Sequence, residues 1–212
     1  MKKSNVISLI SALLLTFAGG FVDAYTFIYR DGVFATMQTG NLIKFFIALT
    51  NGTFKLLFLL PIIFFIIGCL IAALLRKSKF QSHIALLSLV VISLLAGFCP
   101  QKEAWNIVCV CSLSLVGAMQ FEAFRRCLTY RYTSTMCTNN MRLFAVGIAE
   151  KDINKVILYV SIITMFVVGI VIGVLLGKAL NVYAISPIAG IYLAILIIEL
   201  VSKEIPQNET ID

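Results

Sequence analysis

Six long apolar stretches constrain this chain more than any other feature of its sequence. A segment of about 20 mostly apolar residues can cross the roughly 30 Å hydrocarbon core of a bilayer. Only 13% of the 212 residues are charged, against about 25% in a soluble domain. The sequence therefore predicts an all-α integral membrane protein, residues 1–212 forming one membrane domain. Its predicted spans are residues 6–29, 54–75, 84–99, 105–124, 156–177 and 182–201.

The basic residues predict how the spans are oriented. Cytoplasmic loops carry the excess of Lys and Arg, and six spans with both termini inside place 12 of the 17 basic residues on the cytoplasmic side. The net charge of +7 does not indicate nucleic-acid binding, because these residues lie at span ends rather than on one soluble face. The predicted partner of the surface is the lipid bilayer. The five basic residues expected outside are Arg30, Lys44, Lys55, Lys102 and Lys178.

An internal repeat relates residues 1–100 to residues 101–212. In one block of the repeat, residues 65–77 match residues 166–178 at a shift of 101 positions. Polar matches carry the argument, because hydrocarbon disfavours the Thr-Met-x-Thr-x-Asn pattern that occurs in both halves. A shift of 99 positions pairs Asp23 with Glu122, Ala24 with Ala123, Thr36 with Thr135, Met37 with Met136, Thr39 with Thr138, Asn41 with Asn140 and Phe45 with Phe144.

Each half also contains one apolar segment too short to span, residues 34–50 and 133–149. We expect these segments to be re-entrant half-helices, because irregular backbone at membrane depth needs protein or a water-filled cavity around it. Three full spans per half place the second repeat upside down relative to the first. Paired interrupted segments in inverted repeats are typical of transporters.

The motif residues Gly20, Asp23 and Ala24, followed by Thr39-Gly40-Asn41 with its echo at 138–140, resemble the YoaK-like family of bacterial multi-pass membrane proteins. The likeness covers nearly the whole chain. It implies a bacterial inner-membrane protein of about six spans. The family's function is unknown, so the resemblance assigns no functional residue.

Two carboxylates inside apolar segments are the leading candidates for chemistry. Charge at membrane depth is costly and must face a partner or water. Glu122 has Arg125 and Arg126 three and four residues on, the helical spacing of an ion pair, so a structural salt bridge is expected. Asp23 has no basic residue at those positions, and we expect it near the Thr36–Asn41 loop. Two roles stay open for it: a group that carries a proton or binds a solute, and a structural lock.

The two polar motifs supply the other candidate residues. Thr and Asn suit a helix start, where a side-chain oxygen accepts from free N–H groups, and Gly40 permits close approach or a positive φ. A half-helix pointing into the membrane would suit an anionic group, although the motifs could equally satisfy only themselves. The substrate or coupling candidates are Asp23, Thr36, Gln38, Thr39, Gly40, Asn41, Glu122, Thr135, Thr138 and Asn140.

The sequence thus favours a permease for a small polar or anionic solute, with protons as a possible coupling ion. No metalloprotease, hydrolase, nucleotide-binding or dinucleotide-binding motif is present, so we expect no enzyme activity, no cofactor and no metal. The alternative is a membrane scaffold or partner subunit that transports nothing. A membrane-embedded enzyme is the less favoured third class.

Overall fold

The protein is almost entirely helical in a computed structural model, which describes residues 3–202 and the side chains of residues 9–201. Two short 3-10 turns follow the third and seventh helices, at Leu75–Lys77 and Asn181–Ile185. The helices are α1 (Lys3–Tyr29), α2 (Gln38–Thr50), α3 (Leu56–Leu74), α4 (Gln81–Phe98), α5 (Glu103–Ala123), α6 (Thr138–Ala149), α7 (Ile153–Leu180) and α8 (Ser186–Ser202), and a small hairpin, β1 (Arg126–Cys127) with β2 (Tyr130–Arg131), lies between α5 and α6.

Five stretches of the described chain are long and apolar enough to cross a membrane. The last of them, Ile153–Val201, contains α7 and all of α8 except its final residue. The remaining four lie in α1, α3, α4 and α5. The protein is therefore a membrane protein, and its count of six crossings stays a prediction.

The short segments form the helices α2 and α6, with 13 and 12 residues. At 1.5 Å per residue these helices are about 20 and 18 Å long, less than the hydrocarbon thickness. Large apolar side chains are exposed on them, including Ile43 and Phe46 of α2 and Ile148 of α6. These exposed faces suit insertion into lipid rather than contact with water.

Glycines set the closest helix pairs. Gly169 of α7 faces the carbonyl oxygen of Phe17 in α1, and Gly68 of α3 faces the carbonyl oxygen of Leu115 in α5. A side chain at either position would collide with the opposing backbone. Small residues allow this close approach, which replaces the hydrophobic driving force that is missing between helices in lipid. Accordingly α1 packs along α7, and α5 packs along α3.

Asp152 begins α7 and ties it to the small hairpin. Its carboxylate accepts the Lys155 backbone N–H at 3.1 Å and the Tyr130 hydroxyl at 2.8 Å. The Lys155 N–H, followed by the Tyr130 hydroxyl, lowers the pKa of Asp152 below its ordinary value of 3.8. The same bond to Asp152 raises the pKa of Tyr130. The hairpin is thereby fixed against the start of α7.

The lowered pKa of Asp152 predicts a modest dependence of stability on acid. The ionised form is favoured in the folded chain, so its stabilisation is complete above the ordinary pKa of 3.8 that the unfolded chain keeps. This stabilisation is lost as the pH falls through the lower pKa that Asp152 has in the folded chain. Thermal unfolding in detergent at neutral and acidic pH checks this prediction. The wild type should lose more of its midpoint below pH 4 than Asp152→Asn does, and equal losses would contradict it.

Candidate functional site

Asp23 is buried and holds the loop that precedes α2. Its side chain lies on α1 and is 1% exposed. One carboxylate oxygen accepts the Thr36 backbone N–H at 2.8 Å, and the other lies 2.5 Å from the Thr36 hydroxyl oxygen. None of the ion pairs among the described side chains involves Asp23. The proximity of Asp23 to the motif loop, expected from the sequence, is therefore present in the structure.

The Thr36 hydroxyl joins the two motif loops. Besides its contact with Asp23, the hydroxyl oxygen lies 3.0 Å from the backbone carbonyl oxygen of Thr135 in the second loop. A hydroxyl has one proton to donate, so it cannot donate to both oxygens at once. Both contacts become hydrogen bonds only when Asp23 is protonated and donates to Thr36. The state of one carboxyl group thus decides whether Thr36 is bound to the other loop.

Asn41 and Asn140 make the same pair of bonds, each within its own half of the chain. Asn41 accepts the N–H of Phe34 at 2.9 Å and donates to its carbonyl oxygen at 2.7 Å. Asn140 accepts the N–H of Thr133 at 3.1 Å and donates to its carbonyl oxygen at 2.7 Å. Each amide therefore binds both the N–H and the carbonyl oxygen of one loop residue, as a neighbouring β-strand would, and so closes its loop.

The expected side-chain caps at the starts of the short helices are wrong. The capping positions are Met37 for α2 and Cys137 for α6, and neither makes a side-chain cap bond. The asparagines lie within the first four residues of their helices, and their amides bind the preceding loop instead. The hydrogen-bonding groups of the two asparagines therefore bind the loop and not the free N–H groups at the helix start.

Gly40 is required for space, not for backbone conformation. A side chain at this position would collide with the ring of Phe34, and positive φ among the described glycines occurs only at Gly32 and Gly52. The second motif has Asn139 where the first has Gly40, and Thr133 where the first has Phe34. The Asn139 side chain accepts from Arg142 at 3.3 Å. The second motif therefore lacks the close approach of a glycine to an aromatic ring that the first motif has.

The second loop packs against α1 and contains an unsatisfied hydroxyl. Gly19 of α1 faces the carbonyl oxygen of Ser134, and Gln120 of α5 donates to the Leu15 carbonyl oxygen at 3.1 Å and to the Ser134 hydroxyl at 3.0 Å. The Thr135 hydroxyl is buried, and no described residue bonds it. In the first loop Asp23 binds the Thr36 hydroxyl. In the second loop no described residue binds the equivalent Thr135 hydroxyl.

Glu122 lies away from this junction in a salt-bridge cluster. It contacts Arg76 of the 3-10 turn after α3 and lies 3.8 Å from Arg125, so the expected ion pair with Arg125 is present. The expected ion pair between Glu122 and Arg126 is wrong, because the described side chains form no such pair. Helix α5 ends at Ala123 and Arg126 belongs to strand β1, so helical spacing does not extend to it.

The remaining motif residues separate into those near the junction and those away from it. Gln38 donates to the Ala35 carbonyl oxygen at 2.7 Å and lies 3.5 Å from the Ser114 hydroxyl of α5. Thr39 and Thr138 are exposed on their helices. The structure therefore groups Asp23, Thr36 and Thr135, with Gln38 beside them. The functional role of these residues stays a prediction.

Arg30 is a buried residue that the sequence analysis did not select. Its side chain is fully buried, and it donates to the Tyr25 hydroxyl and to the Asn106 side-chain oxygen. Asn106 in turn donates to Asp31 at 2.7 Å. The other acceptors of the Arg30 guanidinium are the carbonyl oxygens at the end of α4, namely those of Ala96, Cys99 and Pro100.

Nothing in the sequence indicated this role, because an arginine just after an apolar stretch normally marks the membrane surface. At the end of α4 the guanidinium instead meets the negative end of a helix dipole. Arg30 thereby ties together the end of α1, the end of α4 and the start of α5. It positions the first motif loop, which follows it in the chain.

Comparison with known proteins places the chain in a family. The sequence pattern of the family described as protein of unknown function (DUF1275) matches residues 11–198. The chain belongs to this family. The match covers nearly the whole chain, and the YoaK-like name itself stays an expectation. No curated protein and no solved structure matches the chain.

Proposed function

We propose that this protein is a permease for a small polar or anionic solute, with its site where the two motif loops meet. The observation that carries the proposal is the buried contact between Thr36 and the Thr135 carbonyl, beside Asp23. Polar groups at membrane depth are costly and usually mark a solute or ion pathway. The unpartnered Thr135 hydroxyl is the group we assign to contact the solute.

An inverted repeat is supported by the way the halves pack. Arg30 follows the end of α1, and its bond to Asn106 brings that end to the start of α5, the counterpart of α1 in the second half. The two counterparts therefore run in opposite directions. Close packing through Gly169 and Gly68 also relates the halves, because α1 pairs with α7 as α5 pairs with α3. Transporters of this plan bind solute between the repeats.

Six crossings follow if α7 and α8 cross separately. A continuous helix over the 49 residues of Ile153–Val201 would be about 74 Å long, more than twice the hydrocarbon thickness. Support comes from the 3-10 turn between α7 and α8, and from their different neighbours, α1 for α7 and α4 for α8.

We place the protein in the bacterial inner membrane with both termini in the cytoplasm, from the distribution of basic residues and the family resemblance. The termini themselves lie outside the described residues. We further propose that the protein catalyses no reaction and requires neither cofactor nor metal. Its partners in this proposal are the bilayer, the solute and the proton.

Protons would couple to the solute path through Thr36. When Asp23 is protonated it donates to the Thr36 hydroxyl, which then donates to the Thr135 carbonyl and holds the loops together. When Asp23 is ionised, the Thr36 proton turns to the carboxylate and the bond between the loops is lost. Loss of a proton from Asp23 would therefore open the junction.

A non-transporting scaffold is the second candidate function, and one observation favours it. Most motif side chains bind each other or their own loops, as Asn41 does with Phe34 and Gln38 with Ala35. In that case the Asp23 contact with Thr36 is a lock between segments. A transport measurement separates the two functions.

The experiment is an uptake screen in sealed vesicles containing the purified full chain. The probes are small organic and inorganic anions and neutral polar solutes, each tested with and without an imposed proton gradient. We expect at least one probe to enter wild-type vesicles faster than protein-free vesicles. Thr135→Val should reduce that uptake, whereas Thr138→Val, which changes an exposed threonine of the same motif, should not.

A folded wild type that moves none of these probes would contradict the permease proposal and favour the scaffold. Equal uptake by the Thr135→Val and wild-type proteins would contradict the assignment of the Thr135 hydroxyl to the solute site.

A further inference from the structure

Two arginines face each other across the small hairpin between α5 and α6. Strands β1 and β2 are antiparallel, and their register places Arg126 directly opposite Arg131. Side chains at opposed positions lie on the same face, with Cβ atoms about 4.5–5.5 Å apart, and like charges there are destabilising. A hairpin this short has no other ladder pairs to offset the repulsion except Cys127 with Tyr130.

No internal carboxylate neutralises this arginine pair among the side chains described for residues 9–201. Arg76 and Arg125 share Glu122, and Lys155 pairs with Glu150. The nearby Asp152 is occupied by the Tyr130 hydroxyl and the Lys155 N–H. Arg131 is exposed and Arg126 is half-buried. Two guanidinium groups are therefore presented together on an accessible face.

The backbone of the hairpin is held at several points, so the two arginines start from fixed positions. Cys127 is buried, and the Tyr159 hydroxyl of α7 donates to the Arg131 carbonyl oxygen at 2.6 Å. The Tyr130 bond to Asp152 anchors the opposite side of the same strand. A backbone that is already fixed loses little conformational entropy when the two side chains bind an anion.

The distance along the chain from the α5 span puts the hairpin within reach of lipid headgroups. Arg126 is three residues beyond Ala123, the last residue of the α5 span, so the chain carries it at most about 10 Å past that end. Headgroups extend about 5–8 Å beyond each face of the hydrocarbon core. Arginine forks bind phosphate oxygens in pairs, which a lysine ammonium does not.

We propose that the Arg126–Arg131 pair binds the phosphate group of an anionic phospholipid in the adjoining leaflet. The bound phosphate removes the repulsion between the two guanidinium groups and fixes the hairpin at the membrane surface. This site is separate from the Asp23–Thr36–Thr135 junction, and it does not depend on the transport proposal.

The test measures the thermal unfolding midpoint of the purified full chain as phosphatidylglycerol or phosphatidylcholine is added to the detergent. We expect phosphatidylglycerol to raise the wild-type midpoint above the value in phosphatidylcholine. The variant Arg126→Gln/Arg131→Gln should bind phosphatidylglycerol about tenfold more weakly or worse. Because the variant also lacks the repulsion, in phosphatidylcholine it should be at least as stable as the wild type, which shows that it is folded.

The matched control is Lys77→Gln/Lys79→Gln, which removes the same charge from exposed residues near Arg76. It should keep the full response to phosphatidylglycerol, and Arg126→Lys/Arg131→Lys should keep only part of it. Inorganic phosphate at the same concentration should not replace the lipid. An equal response to both lipids, or an equal loss in the lysine control, would overturn the proposal.

Discussion

Replacing Arg30 with methionine is expected to lower the free energy of unfolding by about 3 kcal/mol or more. Methionine fills part of the space but donates nothing. The Tyr25 hydroxyl, the Asn106 side chain and the carbonyls at the end of α4 would all lose a buried donor. Each buried polar group left unpaired costs about 1–3 kcal/mol, and water can relieve only part of that cost.

Thermal unfolding in detergent measures this loss, with Lys102→Met as the control. Lys102 lies near the same end of the molecule, and its side chain is exposed, so its removal changes charge without opening a buried network. Arg30→Lys should fall between the two, because an ammonium group has three donors and no planar fork. A wild-type midpoint for Arg30→Met would show that the buried network does not hold the helix ends together.

The second large effect is expected at Asp23, where alanine and asparagine should differ sharply. Asp23→Ala leaves the Thr36 N–H without its acceptor, at a cost of about 1–3 kcal/mol. Asp23→Asn keeps that acceptor, and its amide N–H₂ can donate to the Thr36 hydroxyl, which then donates to Thr135. The asparagine variant therefore imitates the protonated acid and should unfold close to the wild-type midpoint.

The threonines of the motif provide the matched comparison. Thr36→Val removes the hydroxyl that lies between Asp23 and Thr135 and should destabilise the chain. Thr39→Val changes an exposed threonine of the same motif and should have little effect. If Asp23→Ala and Thr36→Val were as stable as the wild type, the contact between α1 and the loop would carry no structural role.

The elements of this fold were largely predictable, because apolar length is a strong signal in a membrane protein. Helix α3 was expected over residues 54–75 and runs over Leu56–Leu74. Helix α7 runs beyond its expected range of 156–177 in both directions, to Ile153–Leu180. Asp152 caps one end, and the apolar residues near Leu180 continue the other.

The site was predictable only where a residue type is unusual for its surroundings. Asp23 stood out because a carboxylate in an apolar stretch demands a partner, and the nearest polar motif supplied one. Arg30 did not stand out, because most of its partners are backbone carbonyls or side chains that lie 66–76 positions away in the chain. Such partners leave no local pattern in a sequence. The Arg76 contact with Glu122 was hidden for the same reason, since 46 residues separate the two.

Proton-coupled uptake by the Asp23→Asn protein tests the central claim most directly. The probe is the solute that the vesicle screen identifies, and the measurement compares its initial uptake rate with and without an imposed proton gradient. In wild-type vesicles the gradient should accelerate uptake. In Asp23→Asn vesicles, with equal amounts of folded protein, the gradient should have no effect, because the amide holds Thr36 against Thr135 at every pH. Gradient-driven uptake at the wild-type rate in Asp23→Asn would contradict the account.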